Sequence, residues 1–225
     1  MTVYFLVCVS SLMKADTERM STIFKYPPLY LITDTRISGL SHIQIVRRAI
    51  DAGIRTIQMR EKHLSKKDMY KAAISIRDIT LKRNALFIVN DYVDLALAVN
   101  ADGVHLGQDD MSVKEARKIM GKRKLIGIST HSLDQANKAQ DGGADYIGFG
   151  PIFHTATKDA GTPKGENALR QIREHIDIPI VAIGGISWEN VNNILNAGAD
   201  AAAIASGILI GDIKANVMKF MDAIY

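Results

Sequence analysis

Gly142-Gly-Ala-Asp-Tyr-Ile-Gly-Phe-Gly-Pro-Ile-Phe-His-Thr-Ala-Thr-Lys158 holds a whole structural unit in one short run. Its first residues are small and turn-prone, Tyr146–Phe149 reads as a buried strand, and the remainder is a loop of glycine, hydroxyls and one ammonium group. The opening phrase recurs as Asp51-Ala-Gly53, Asn100-Ala-Asp-Gly103 and Asn196-Ala-Gly-Ala-Asp200. In each, glycine or asparagine supplies a left-handed helix cap and a strand begins within a few residues.

Working outward, short apolar runs alternate with amphipathic stretches along the chain. Leu31–Thr33 leads to a helix near Ser41–Ala52, Thr56–Met59 to Ser65–Arg83, Ala85–Val89 to Tyr92–Val99, and Gly103–Leu106 to Ser112–Met120. Leu125–Ser129 leads to Leu133–Gln140, Tyr146–Phe149 to Glu166–His175, Ile180–Ile183 to Trp188–Ala197, and Ala201–Ala205 to Ile213–Ile224. Short αβ turns leave room only for repeated right-handed crossovers. Eight strand–helix pairs predict an α/β fold, a (β/α)8 TIM barrel formed as a single domain over residues 29–225. A doubly wound open sheet is the alternative.

With 225 residues such a barrel forms one core, hiding roughly 70% of the surface the unfolded chain exposes, and needs no disulfide or metal staple. Cys8 is the only cysteine, which excludes an internal disulfide and points to a reducing, cytoplasmic setting. The net charge of +4 arises from 28 basic and 24 acidic residues without a dense basic run, so no nucleic-acid partner is expected. The apolar run Val3–Val9 has no basic residue before it and is too short to cross a membrane. Residues 1–28 are a leader or extension of unassigned role: an added strand, a disordered leader, a signal-like segment, or a tract upstream of a start at Met20. A homo-oligomer is compatible with the sequence, which does not fix the oligomeric state.

In a barrel, chemistry sits where strands end and βα loops begin. The second strand ends in Gln58-Met-Arg-Glu-Lys62, and alternation puts Gln58, Arg60 and, if the extension persists, Lys62 on one face. Two cations there repel unless an anion lies between them; the plainer reading is a salt-bridged strand end, such as Arg60 with Asp91. Asn90-Asp91 and His105…Gln108-Asp-Asp110 end the third and fourth strands. Asp91 and Asp110 suit a hard ion such as Mg2+ that keeps waters and binds substrate phosphates; each could equally be a helix cap.

Ser129-Thr-His131 ends the fifth strand, with Ser129 a donor to a phosphate or ring atom and His131 a residue able to transfer protons; alternatively Thr130 or Ser132 caps the helix and His131 is a surface residue. Gly184-Gly185-Ile186 and Ala205-Ser206-Gly207 follow the seventh and eighth strands, where barrels often bind phosphate on backbone N–H groups, although tight turns alone would use the same glycines. Thr155, Thr157 and Lys158 form either a phosphate seat or a solvated loop. The loops thus offer two anion sites, one over strands seven and eight and one, basic and metal-assisted, across strands two to six.

From Tyr30 to the C-terminus the ordered motifs Gln58-x-Arg60-x-Lys62, Asn90-Asp91, Gly103-x-His105-x-Gly107-Gln108-x-Asp110, Gly150-Pro151-x-x-x-Thr155-x-Thr157-Lys158 and Ile183-Gly-Gly-Ile186 resemble those of the thiamine phosphate synthase family. The resemblance implies a Mg2+-dependent transferase of thiamine biosynthesis. It would join 4-amino-5-hydroxymethyl-2-methylpyrimidine diphosphate to a hydroxyethylthiazole phosphate, or its carboxylate, releasing diphosphate. It further implies that Gln58, Arg60, Lys62, Asn90, Ser129 and Lys158 hold the pyrimidine diphosphate, with Arg60, Lys62, Ser129 and Lys158 serving catalysis. Asp91 and Asp110 would hold the metal, and Thr155, Thr157, Gly185, Ala205 and Ser206 the thiazole phosphate. His154 departs from the proline common in the family, which bears on the Thr155–Lys158 loop. Thiazole tautomerase paralogues share the barrel and a histidine like His131, but typically lack Asp110 and the Thr-x-Thr-Lys loop. A non-catalytic thiazole phosphate-binding regulator and another phosphate-handling barrel are the remaining rivals.

Overall fold

The computed structural model describes residues 27–155 and 161–225. Eight parallel strands close in sequence order into a barrel. They are β1 (Leu29–Thr33), β2 (Thr56–Met59), β3 (Leu86–Asn90), β4 (Gly103–Leu106), β5 (Leu125–Thr130), β6 (Tyr146–Phe149), β7 (Ile180–Ile183) and β8 (Ala201–Ile204). Around them run α1 (Thr35–Ser38), α2 (His42–Asp51), α3 (Lys66–Lys82), α4 (Val93–Ala98), α5 (Val113–Met120), α6 (Leu133–Asp141), α7 (Gly165–Arg173), α8 (Val191–Asn196), α9 (Ser206–Leu209) and α10 (Ile213–Ile224). The predicted barrel is therefore the observed one, and the short α1 and α9 are additions to the sequence reading. The doubly wound alternative is excluded because β1 pairs with both β2 and β8.

Helix starts follow side-chain oxygens that accept the otherwise unpaired N–H groups of a first turn. Ser41 does so while its own N–H donates to Gln44 Oε1, and Ser65, Ser112, Ser132 and Asp212 cap α3, α5, α6 and α10. The helix predicted from Trp188 starts at Val191 instead. Asn190 Oδ1 accepts the N–H of Ser187 (2.9 Å), folding the intervening residues into a turn.

Strand alternation sorts the core into two layers. Leu29, Leu31, Ile57, Phe87, Val89, Val104, Ile126 and Ile147 pack outward against helices. Tyr30, Ile32, Ile88, Leu125, Tyr146, Val181, Ala201 and Ala203 fill the barrel interior. Gly127 admits the interior Tyr146 ring, since a Cβ at 127 would lie 2.0 Å from Tyr146 Cζ.

The repeated small-residue phrases form the lower, N-terminal rim. Gly53, Asn100, Gly143 and Gly198 all have positive φ. The next residue's N–H then reaches back five positions: Ile54 to Ala49, Ala101 to Ala96, Ala144 to Ala139 and Ala199 to Ile194, at 2.8–3.3 Å. This is the left-handed cap expected from sequence. The aspartates do something further. Asp102, Asp145 and Asp200 each accept an N–H from the preceding odd strand (Phe87, 2.8 Å; Ile126, 2.7 Å; Ile180, 2.8 Å). Each carboxylate also pairs with an arginine of the helix before that strand: Arg77 (2.7 Å), Arg117 and Arg173 (3.1 Å). The clamp thus ties helix, odd strand and even strand in three successive pairs of barrel units.

Candidate active site

At the upper rim, where strands end, two cavities share a wall. The outer one is lined from β1, β2, β5, β6, β7 and β8 by Asp34, Arg60, Ser129, His131, Thr155, Gly185, Ala205 and Ser206, over an apolar face of Ile32, Ile183, Ile186 and Ile204. The inner one goes down to Tyr30, Gln58, Asn90, His105 and Gly148. Ile32, Arg60, Ser129, Ile183 and Ala203 line both. Predicted residues thus converge in two groups, Gln58 and Asn90 in the inner space and Thr155, Gly185, Ala205 and Ser206 around the outer one. Arg60 and Ser129 stand at the boundary. Thr157 and Lys158 lie outside the described residues.

The floor of the inner space is a hydrogen-bonded chain that sequence reasoning missed. Gln58 Nε2 donates to Tyr30 Oη (2.9 Å), the Tyr30 and Tyr146 hydroxyls are 2.9 Å apart, Tyr146 Oη lies 3.1 Å from His105 Nδ1, and His105 Nε2 is 2.9 Å from Ser129 Oγ. Burial raises both tyrosines above the ordinary phenol value; bonds from Tyr146 and Gln58 work the other way at Tyr30, while Tyr30 adds to the rise at Tyr146. Both hydroxyls therefore stay protonated and act as hydrogen-bonding struts that aim Gln58 and Ser129. The signal available in sequence was that Tyr30 and Tyr146 occupy inward positions in otherwise apolar strands, where a hydroxyl needs a partner. Gly148 leaves room for the His105 ring, since a Cβ there would lie 3.1 Å from His105 Cε1.

The two cations of the β2 end each carry a carboxylate of their own. Arg60 pairs with Asp34 (3.3 Å) and Lys62 with Asp91 (2.5 Å). The pairing of Arg60 with Asp91 suggested from sequence is corrected: Arg60 turns toward β1, and Asp34, which also caps α1, is the partner. Asp91 has φ 64° and its N–H donates to the His105 carbonyl (2.8 Å), which sets it beside β4. Neither candidate metal carboxylate is a helix cap. Tyr92 occupies the α4 cap position without a side-chain bond, Ser112 caps α5, and Asp110 Oδ2 accepts the N–H of Gly107 (2.6 Å). Among the described residues no group of three or more His, Cys, Asp or Glu side chains is placed to hold a metal.

Ser132, not Thr130, caps α6; the buried Thr130 hydroxyl donates to the Gly148 carbonyl (3.1 Å). His131 Nδ1 lies 2.6 Å from the Gly150 carbonyl, so it carries the proton and turns the ring onto β6. The loop after β6 leans on the glycines after β7. The N–H groups of Ile152 and Phe153 donate to Ile183 (2.9 Å) and Gly184 (3.0 Å). A Cβ on Gly185 would meet the His154 carbonyl oxygen at 2.5 Å, and one on Gly184 would meet Pro151 at 2.6 Å. These glycines, both at positive φ, therefore seat the loop as well as exposing backbone N–H groups. His154 contributes its backbone to this contact while its side chain is exposed.

This geometry belongs with a family. Residues 29–208 match the family model described as thiamine monophosphate synthase. The chain belongs to the thiamine monophosphate synthase family. It is 50% identical over 186 residues to the thiamine-phosphate synthase of Chloroflexus aurantiacus, covering 82% of this chain and 86% of that protein. Identity to the Methanosarcina barkeri thiamine-phosphate synthase is 45% over 209 residues, or 92% and 94% of the two chains. The solved thiamine phosphate pyrophosphorylase from Pyrococcus furiosus superposes with a TM-score of 0.81 at 38% identity, covering 87% of this chain and 94% of that one. The family match begins at Leu29, the first residue of β1, and includes every candidate site residue from Gln58 to Ser206.

Proposed function

We propose that the chain is a thiamine phosphate synthase that joins a pyrimidine diphosphate to a thiazole phosphate and releases diphosphate. The observation that carries this reading is the shared wall of Arg60 and Ser129 between an inner space lined by Gln58 and an outer space edged by Gly184, Gly185 and Gly207. Two substrates in these spaces would meet at that wall. The carbon–oxygen bond between the pyrimidine methylene and the diphosphate breaks with its electron pair going to diphosphate. The thiazole nitrogen lone pair then forms the new carbon–nitrogen bond.

Gln58 would orient the pyrimidine through its amide, itself held by Tyr30. Arg60, Lys62 and Lys158 would meet the charge that develops on the leaving group, the term that dominates in preorganised polar sites. Arg60 and Lys62 would exchange their carboxylate partners for diphosphate oxygens. Asp91 and Asp110 would hold a divalent ion of the Mg2+ class, offering two hard oxygen donors from the loops after β3 and β4, the remaining ligands coming from diphosphate and water. When bound, that ion would neutralise charge on the departing diphosphate. Thr155, Thr157, Gly185, Ala205 and Ser206 would hold the thiazole phosphate.

The test is a coupling assay that follows thiamine phosphate and diphosphate together. Product in Mg2+ and none in excess chelator is expected. A tautomerase or a phosphate-binding regulator would release no diphosphate, and full rate in chelator would overturn the metal assignment.

A further inference from the structure

Among the buried polar side chains with no role in the site as described are Thr33, His42 and Glu61, exposed by 0%, 2% and 6%. They form one connected path. The N–H of Arg60 donates to Thr33 Oγ1 (3.3 Å), Thr33 Oγ1 lies 2.8 Å from His42 Nδ1, and His42 Nε2 lies 2.9 Å from Glu61 Oε2. One assignment satisfies every atom: the threonine hydroxyl donates to Nδ1, and Nε2–H donates to the carboxylate. The other glutamate oxygen, Oε1, accepts the N–H groups of Lys62 (2.7 Å), His63 (2.6 Å) and Leu64 (3.3 Å).

β2 ends at Met59, so residues 60–64 have no strand ladder to hold them. Their N–H groups are organised instead by a buried carboxylate that α2 clamps through His42, and by the end of β1 through Thr33. Arg60 and Lys62 are carried on this same segment, one on each side of Glu61. Neither cation pairs with Glu61; both face other carboxylates, Asp34 and Asp91. Burying a charged carboxylate is costly unless it is fully hydrogen-bonded, and the four bonds here meet that condition while fixing the loop from below.

We propose that Thr33, His42 and Glu61 form a positioning strut for the diphosphate-binding cations Arg60 and Lys62, with Glu61 its central residue. The proposal rests on the reading of this mouth as a diphosphate site. It predicts selectivity: loss of the strut damages diphosphate binding and leaves the thiazole phosphate side, built from the loops after β6, β7 and β8, intact.

The experiment uses the full chain and two measurements, steady-state coupling with each substrate varied, and calorimetric binding of inorganic diphosphate in Mg2+ buffer. Glu61→Ala is expected to raise the KM for the pyrimidine diphosphate and the Kd for inorganic diphosphate about tenfold or more, since small misplacements of binding groups are expensive. The KM for the thiazole phosphate should stay within about twofold. Glu61→Gln restores most of the loss, because its carbonyl oxygen accepts the same three N–H groups and its amide donates to a His42 of the opposite tautomer. His42→Ala gives a second variant, read the same way if Glu61→Ala does not fold. Equal rises in both KM values, or a lower active fraction with unchanged KM values, would show mere loosening and overturn the proposal. Wild type that binds inorganic diphosphate but makes no thiamine phosphate would defeat the functional reading alone. Wild type that does not bind inorganic diphosphate would defeat both.

Discussion

The two rims of the barrel use the same chemistry, carboxylates facing arginine or lysine, for opposite ends. At the lower rim Asp102, Asp145 and Asp200 each take one arginine and one strand N–H, and the pattern repeats over three pairs of units. At the upper rim Arg60–Asp34 and Lys62–Asp91 do not repeat, and each joins different βα loops. Asp145 and Arg117 are each 24% exposed, whereas the Lys62 side chain is 45% exposed. A pair whose carboxylate also caps a strand is not free to change partners. The Lys62–Asp91 pair, half-exposed at the lysine and joining two loops, can trade its carboxylate for a substrate anion at small cost, because such pairs contribute little to stability. Repetition therefore marks the rim that holds the fold, and its breakdown marks the rim that does chemistry, as barrels generally divide these tasks.

The sharpest way to break this division is to remove an upper-rim cation. Lys158→Ala is expected to lower kcat/KM by about 10²–10³-fold, roughly 3–4 kcal/mol of barrier, with an unchanged circular dichroism melt. Unchanged turnover would take Lys158 out of the site. Asp91→Asn should follow at about 10²-fold, with a raised Mg2+ requirement and a melting temperature shifted by less than about 2 °C. Asparagine tolerates the left-handed backbone of position 91, so a large drop in melting temperature there would contradict the assignment of this rim to chemistry.

The lower rim should answer in the other sense. Asp145→Ala orphans the N–H of Ile126 and removes the carboxylate facing Arg117, whose guanidinium keeps the carbonyls of Gly121, Lys124 and Gly143, costing about 2 kcal/mol, which shifts the melting temperature by roughly 4–8 °C for a chain of this length. kcat/KM at 25 °C should stay within about twofold of wild type. Asp200→Ala should cost less, because that carboxylate is 44% exposed. An Asp145 variant that melts like wild type but turns over slowly would collapse the distinction between the rims.

Much of this layout was legible in the chain. Eight units followed from the alternation of apolar runs with amphipathic stretches, supported by the small-residue phrase that recurs at four strand entries, and the positions of Gln58, Arg60, Asn90, Ser129 and Gly185 followed from strand alternation and strand ends. What stayed hidden depends on contacts between segments far apart in sequence. Asp145 and Arg117 are 28 residues apart, and nothing local distinguishes a clamp from a turn residue. The Tyr30–Tyr146 contact spans 116 positions, and period-2 alternation registers such tyrosines only as large inward residues. Asp34 was missed because locally it serves as the cap of α1, and Arg60 reaches it only once the barrel closes.

The smallest predicted effect lies between the rims, at Glu61, which belongs to the upper rim by position and resembles the lower rim in having its oxygens committed. Burial pushes this carboxyl up, but the N–H groups of His63 and Leu64 and the bond from His42 outweigh it and hold its pKa below the ordinary 4.5. A carboxyl depressed on folding adds stability above its unfolded value and loses that contribution as pH falls through its folded value. Denaturant titrations of wild type and Glu61→Gln should therefore differ at neutral pH by no more than about 1 kcal/mol. The gap should narrow below pH 4.5 and vanish once the folded carboxyl is protonated. A gap that widens with acid would mean that Glu61 is held as the neutral acid, and its bonds to the loop N–H groups would then need the reverse assignment.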